Sequence, residues 1–333
     1  MKILIIGENN FNSLERIYQN NFLDLKCQKV NILSFLKPKN FFFKKILNFQ
    51  EKFFYSFYCL IQNFVLNKKL CNEKQLYDLV IVFNGYHLNK KTIKNIKLKS
   101  IKTTINIQTD NIFFKKNILM NNLNFFDKIY IWSKSIQKKI SKDLKIKKKK
   151  IYFLPFAYDQ FLSKHLTVKD INNKILFYGS WDKNRENLIN KIDHKILKIY
   201  GNGWENAKES FKNRYNIQKE LTGKKLVNEI SKSLICLNLL RYQAKNFINM
   251  RTFEVIGYGG TLLSEYSSEQ YSFFKNYKNM IYFRDIKEIG NIYKKILSNK
   301  KKFIKERNKN KKKIEKHDYL NRAKFILKNE KIY

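Results

Sequence analysis

Short runs of consecutive apolar residues alternate along this chain with longer stretches whose apolar positions recur every three or four residues. The short runs read as strands buried on both faces of a parallel sheet, and the longer stretches as helices that cover it. In the first half, strands are predicted at Lys2–Ile6, Val30–Ser34, Leu79–Phe83, Thr104–Gln108, Lys128–Trp132 and Ile151–Leu154. Helices are predicted between them near Asn12–Gln19, Phe41–Leu66, Ile112–Leu119 and Lys134–Leu144. A second series places strands at Lys174–Tyr178, Ile196–Tyr200, Leu234–Leu239, Thr261–Ser264 and Met280–Phe283. Its helices fall near Arg185–Lys191, Lys224–Lys232, Met250–Tyr258 and Ile286–Leu297. The change-over around Phe156–Asn173 is polar, lacks strong periodicity and follows the second and last proline, Pro155. The pattern is that of an α/β protein with two doubly wound domains.

A length of 333 residues suits two domains of about 150 residues each. Beyond the second series, residues 300–316 carry nine Lys and one Arg against two Glu. Tyr319, Ala323, Ile326 and Leu327 then form an apolar stripe at helical spacing, with Arg322, Lys324 and Lys328 toward the solvated side. A basic helix followed by a docking C-terminal helix is expected; a basic tail that stays solvated is the alternative. No short repeat recurs, which excludes solenoids and propellers.

Composition changes the picture in two ways. Hydrophobic residues make up 44% of the chain, with 28 Phe and 20 Tyr, which excludes a disordered basic polymer despite a formal net charge of +41. Of the 68 basic residues 60 are Lys and only 8 are Arg. Readers of phosphate and bases draw heavily on the planar fork of Arg, so no specific nucleic-acid partner is expected. In such a background each Arg is expected to have a particular task. The four Cys and four His show no metal-ligand spacing, and free thiols in a reducing cytosol are expected. The N-terminus runs straight into a strand pattern, and the most hydrophobic later stretch, Phe53–Leu66, is too short to span a bilayer. The expectation is therefore a cytoplasmic protein, with a peripheral place on the inner face of a membrane as the variant. Residues 41–70 bear on that variant, because they interleave many Phe and Tyr with Lys44, Lys45, Lys52, Lys68 and Lys69. They read either as a helix packed on the first sheet or as an interfacial basic-aromatic helix.

Ligands of open α/β sheets bind outside the carboxyl ends of the strands, so the residues after each strand carry the candidate chemistry. In the second half these are Gly179-Ser180-Trp181-Asp182 with Arg185, then Gly201-Asn202-Gly203-Trp204, then Asn238 to Arg251. The densest segment runs from Asn249 to Glu265. Asn249 can cap a helix whose first turn offers free N–H groups, Arg251 and Thr252 to an anion. Glu254 lies one turn on, where a carboxylate can accept both hydroxyls of a ribose. Gly259-Gly260 ends the helix; a capped helix with a plain glycine stop accounts for the same residues without a ligand. No GxGxxG and no GxxxxGK[ST] occurs. In the first half, Asp110 and His87 each follow a strand and are candidates for a base, Asp110 equally for a helix N-cap.

The Asn249–Glu265 segment resembles the nucleotide-binding region of GT-B glycosyltransferases, in the branch of the spore-maturation (CgeB-type) proteins. Further stretches resemble the same family in the same order: Gln108-Thr109-Asp110-Asn111, Tyr152 to Asp159, Leu176 to Ser180 with Arg185, and Ile199 to Trp204. The tail His317-Asp318-Tyr319 with Arg322 also fits. The resemblance covers roughly residues 100–325. It implies two Rossmann-like domains facing across a cleft: 1–165 on the acceptor side, 166–310 binding a nucleotide sugar, and a helix in 311–333 crossing back to the first. The implied reaction moves a sugar from a nucleoside-diphosphate sugar to a glycan, lipid-linked or protein acceptor, with no metal and no cofactor. Gly179, Ser180 and Arg185 would meet the pyrophosphate, with Arg251 and the helix start as a second anion site. Gly201, Gly203, Thr252, Gly259 and Gly260 would complete the donor pocket. Glu254 matches the second glutamate of the family's E-x7-E pattern; the first falls at Asn246, a neutral amide. The rival reading is a non-catalytic basic protein on a transferase-like fold, binding nucleic acid or an anionic membrane.

Overall fold

The structure, a computed structural model, describes residues 1–37, 40–114, 118–164, 170–241, 245–278 and 280–332. Residues 1–155 with 320–333 form one compact unit, and residues 156–319 form a second.

The first unit is built on six parallel strands: β1 (Lys2–Gly7), β2 (Lys29–Ser34), β3 (Tyr77–Phe83), β4 (Ser100–Gln108), β5 (Lys128–Ile131) and β6 (Ile151–Phe153). Their order in the sheet is β2-β1-β3-β4-β5-β6. Ile3–Ile6 and Leu79–Phe83 are almost completely buried, as continuous apolar runs must be when helices cover both faces. The chain turns back after β2 and reaches β3 on the other side of β1, so the strand order switches between β1 and β3. The flanking helices are α1 (Leu14–Asp24), α2 (Phe41–Phe53), α3 (Tyr55–Asn72), α4 (Lys90–Lys97) and α5 (Lys134–Asp143).

After the one-turn α6 (Gln160–Ser163), the second unit repeats the plan. Its strands are β7 (Ile175–Tyr178), β8 (Leu197–Tyr200), β9 (Ile217–Gln218), β10 (Ile235–Asn238), β11 (Leu262–Glu265) and β12 (Ile281–Phe283). The order β12-β11-β10-β7-β8-β9, all parallel, switches between β7 and β10. Helices α7 (Lys183–Ile189), α8 (Glu209–Arg214), α9 (Gly223–Lys232), α10 (Met250–Gly257), α11 (Ser268–Phe274), α12 (Ile289–Ser298) and α13 (Lys300–Ile314) pack around it. The Arg307 guanidinium of α13 is buried against the end of α9, donating to the carbonyls of Ile230, Ser231 and Ser233, and also to Gly259.

The last helix, α14 (Tyr319–Asn329), buries the expected stripe of Tyr319, Ala323, Ile326 and Leu327. From Leu320 onward it belongs to the first unit, where Lys128 pairs with Glu330 at 3.2 Å and the Tyr130 hydroxyl donates to the same carboxylate. Arg322, expected toward solvent, is turned inward, where its Nε donates to the Pro155 carbonyl at 2.8 Å.

Other differences from the sequence reading are local. The single helix expected over Phe41–Leu66 breaks at Phe54, whose φ of −126° and ψ of 53° lie outside the helical region. Over its described residues, the helix expected at Ile112–Leu119 is a turn at residues 112–113 with bends around it, residues 115–117 lying outside the description. The two-residue β9 and the lysine-rich α4 were not anticipated.

Candidate functional site

In a doubly wound sheet the crevice opens outside the carboxyl ends of the strands where their order switches. In the second unit that point brings together the loop after β7, Gly179-Ser180, and the loop after β10, Leu239-Leu240-Arg241. Three of the eight arginines meet there. Arg185, fixed by the Asp182 N-cap of α7, is 4% exposed and donates to the carbonyls of Ser180 (2.9 Å) and Leu239 (3.0 Å), thereby tying the two loops together. Arg251, in the first turn of α10, donates to Asn238 Oδ1 at 3.2 Å and lies 4.6 Å from the centroid of the Tyr178 ring. A Cβ on Gly179 would come within 2.8 Å of Arg251 Nη2 and 3.4 Å of Arg185 Nη1. Arg241 is exposed and donates to the Ser180 hydroxyl.

The electrostatics follow from this crowding. Burial first, then the positive charges of Arg251 and Arg241, push the Arg185 guanidinium down to about 9, against the opposing pull of Asp182 and Glu265. Arg251 Nε is buried with no hydrogen-bond partner among the described residues. Three guanidiniums gathered around one glycine-serine turn repel one another, and an anion entering there would relieve that repulsion.

Glu254 lies one turn into α10 and accepts from the Tyr178 hydroxyl at 3.2 Å. Burial raises its carboxyl above the ordinary range, with Arg251 and the Tyr178 hydroxyl acting in the opposite direction. The loop after β8 supports the same turn. Gly179 N–H donates to the Tyr200 carbonyl at 2.8 Å, and the Trp204 indole N–H donates to the Gly179 carbonyl at 3.0 Å. A Cβ on Gly201 would stand 2.0 Å from that carbonyl oxygen, so only glycine lets the two loops meet. Gly203, at φ 84°, turns the chain toward Trp204. Asn246 is exposed in the turn that precedes α10.

The structure thus gathers Gly179, Ser180, Arg185, Arg251 and Glu254, and moves three expected donor contacts elsewhere. Thr252 is fully buried, its hydroxyl engaged with Asn249 Oδ1 (3.0 Å) and Gln270 Oε1 (2.9 Å); it braces the cap of α10. Gly259 and Gly260 join the C-terminus of α10 to β11, and such helix-to-strand turns lie at the opposite edge of a parallel sheet from the ligand crevice. There a Cβ on Gly260 would meet Val255 at 2.8 Å and Ile230 at 2.9 Å, so the glycine serves packing. Asn238 and Arg241 lie within the stretch flagged after the third strand of that half, and Tyr178 within a family-like one, but none was singled out; the scarcity of Arg was a signal that would have found Arg241.

In the first unit, Asp110 is half-buried just beyond β4, and its carboxylate is hydrogen-bonded by the Tyr86 hydroxyl. The turn is braced by Asn84, at a left-handed φ of 49°, whose side chain accepts from Thr109 N–H at 2.9 Å. His87 is a correction. It is 6% exposed, boxed by Phe35 (ring centroids 4.6 Å apart) and Tyr58 (6.0 Å), and burial lowers its pKa to about 4. Such a ring belongs to the core and is a poor base for a reacting hydroxyl.

Residues 184–328 match a glycosyl transferase-like family. No curated protein sequence matches the chain. Among solved structures, the whole chain superposes on the whole of Anabaena HepE in complex with UDP-glucose, with a TM-score of 0.71 and 12% identity. A glycosyltransferase of Rickettsia africae gives a TM-score of 0.67 at 11% identity, over 99% of this chain and 98% of that one. The E. coli trehalose-6-phosphate protein bound with UDP-2-fluoro glucose gives 0.66 at 12% identity, over 99% of each chain. The chain therefore has the two-domain GT-B fold.

Proposed function

We propose that the chain transfers a sugar from a nucleoside-diphosphate sugar to an acceptor hydroxyl, in the branch that the spore-maturation type represents. The observation that carries this reading is the convergence of Arg185, Arg241 and Arg251 on Gly179-Ser180 at the switch point of the second sheet. The arginines and the Ser180 hydroxyl hold the diphosphate, and Glu254 accepts from the ribose hydroxyls. As the bond from the anomeric carbon to the diphosphate oxygen breaks, its electron pair leaves with that oxygen, and the guanidiniums stabilise the charge that develops. That is the work a divalent cation does in other transferases, so the proposed reaction needs neither metal nor cofactor. The acceptor oxygen forms the new bond to the anomeric carbon and gives up its proton, with Asp110 as the proposed base and Tyr86 as its anchor.

The acceptor proposed is a glycan, a lipid-linked glycan or a protein in surface polysaccharide or glycoprotein synthesis, met by an enzyme peripheral to the membrane. UDP-sugars are the first donors to try, because solved structures of the same fold hold UDP-glucose. The test is release of the nucleoside diphosphate from UDP-, GDP-, CDP-, ADP- and dTDP-sugars. One donor class should be turned over by the native chain, and not by Arg251→Ala. Turnover of none, together with a salt-steep affinity for nucleic acid, would overturn the reading in favour of a non-catalytic basic binder.

A further inference from the structure

The crossover between β2 and β3 leaves an apolar face that the core does not use. In α3, Cys59, Gln62, Asn63, Leu66 and Leu70 are buried on one side. Gln62 and Asn63 fix that side: Gln62 exchanges hydrogen bonds with the backbone of Leu36, and Asn63 donates to the carbonyls of Cys59 and His87. The opposite side carries Phe57, Leu60 and Phe64, which are 53%, 64% and 71% exposed. In α2, Phe42, Ile46, Phe49 and Phe53 fall at successive turns along one helical stripe, and each is exposed. Phe54, at the break between the helices, is exposed as well. Monomeric proteins rarely leave such a contiguous patch in water, and one of this kind marks a partner.

The charges select the partner. Residues 41–72 hold five lysines and a single acid, Glu51, on a chain whose formal net charge is +41. A second copy of this chain would bring the same positive charge to the same face, so self-association is opposed. Neither helix is long and apolar enough to cross a membrane. Helix α3 is also held to the core through Gln62 and Asn63. Short helices with an aromatic stripe and flanking lysines lie in the plane of a bilayer interface, their rings at the acyl boundary and their ammonium groups among anionic headgroups. We infer that α2 and the outer side of α3 form a wedge that inserts into the surface of an anionic membrane. This inference rests on the first unit alone and stands apart from the donor site.

The test uses the full chain carrying Phe49→Trp, mixed with vesicles of phosphatidylcholine containing 30% phosphatidylglycerol or with phosphatidylcholine alone. The expected result is a blue shift of the indole emission and quenching by lipids brominated near the headgroup, on anionic vesicles only. Phe42→Asp combined with Phe49→Asp should reduce vesicle co-sedimentation at least tenfold while leaving the melting temperature and far-UV circular dichroism unchanged, which separates lost insertion from lost folding. Co-sedimentation without indole quenching would overturn insertion and leave charge adsorption alone. A concentration-dependent dimer in light scattering, abolished by Phe49→Asp and without vesicle binding, would overturn it in favour of a second copy.

Discussion

Arg185 and Arg241 reach the same Gly179-Ser180 turn from different depths, so their removal should have different consequences. Arg241 is exposed and donates to the Ser180 hydroxyl, whereas Arg185 is buried and joins two loops. Arg241→Ala should weaken nucleoside-diphosphate binding by about 1–3 kcal/mol through a lost charged contact, with the melting temperature unchanged. Arg185→Ala should weaken binding by a similar amount and lower the melting temperature as well; calorimetric titration beside thermal unfolding separates the two. His87 makes a prediction about pH. Its folded pKa is about 4 against an ordinary 6.5, because burial disfavours the charged ring. Between those values the unfolded chain binds a proton that the fold refuses. Stability is therefore full above about pH 6.5 and falls as pH drops through that window, by up to about 3 kcal/mol. Urea unfolding at pH 7 and pH 5 should show a drop in the native chain that is smaller in His87→Gln. An equal drop in both would place the titrating group elsewhere.

At the scale of elements, the parallel strands were legible and the helices less so. A strand buried on both faces must be apolar at nearly every position, which Ile3–Ile6 and Leu79–Phe83 announce. The break at Phe54 involves neither Gly nor Pro, and the apolar pattern runs on across it, so tertiary packing of α3 decides it. Helix α4 gives little signal in the sequence because only Ile93 and Ile96 supply apolar residues to its buried face. The order of motifs brought Arg251 and Glu254 to the ligand edge. It could not show that Gly259-Gly260 lies one helix length away at the opposite edge. Nor did it reveal that the basic run 300–316 conceals a structural cation. Arg307 supplies the partners for carbonyls at the end of α9, so Arg307→Met should leave several buried acceptors unpaired. The expected loss is about 3 kcal/mol in urea unfolding, whereas the exposed Lys312→Met should cost almost nothing.

For the whole molecule, the last helix links the end of the chain to the first unit through a buried carboxylate. Glu330 is 1% exposed at its side chain, is paired with Lys128 and receives the Tyr130 hydroxyl. Glu330→Ala leaves Lys128 and Tyr130 without that partner and should destabilise the chain by about 3 kcal/mol, read as a lowered melting temperature. The proposed nucleotide site is built from second-unit residues, so binding there should persist below that temperature. The net charge of +41 says little about this architecture, since it is carried largely by lysines; five of the eight arginines, Arg185, Arg241, Arg251 and Arg307 of the second unit and Arg322 of the last helix, are instead set against specific partners. The central claim is that the arginine-lined switch point beside Glu254 holds a nucleoside diphosphate. The most direct measurement is a thermal-shift panel of UDP, GDP, CDP, ADP and dTDP on the native chain and on Glu254→Ala, since a ligand bound only by the folded state raises its melting temperature. The account predicts a clear rise with one nucleotide, reduced or lost in Glu254→Ala. No rise with any of the five at millimolar concentration, or an equal rise in both proteins, would contradict it.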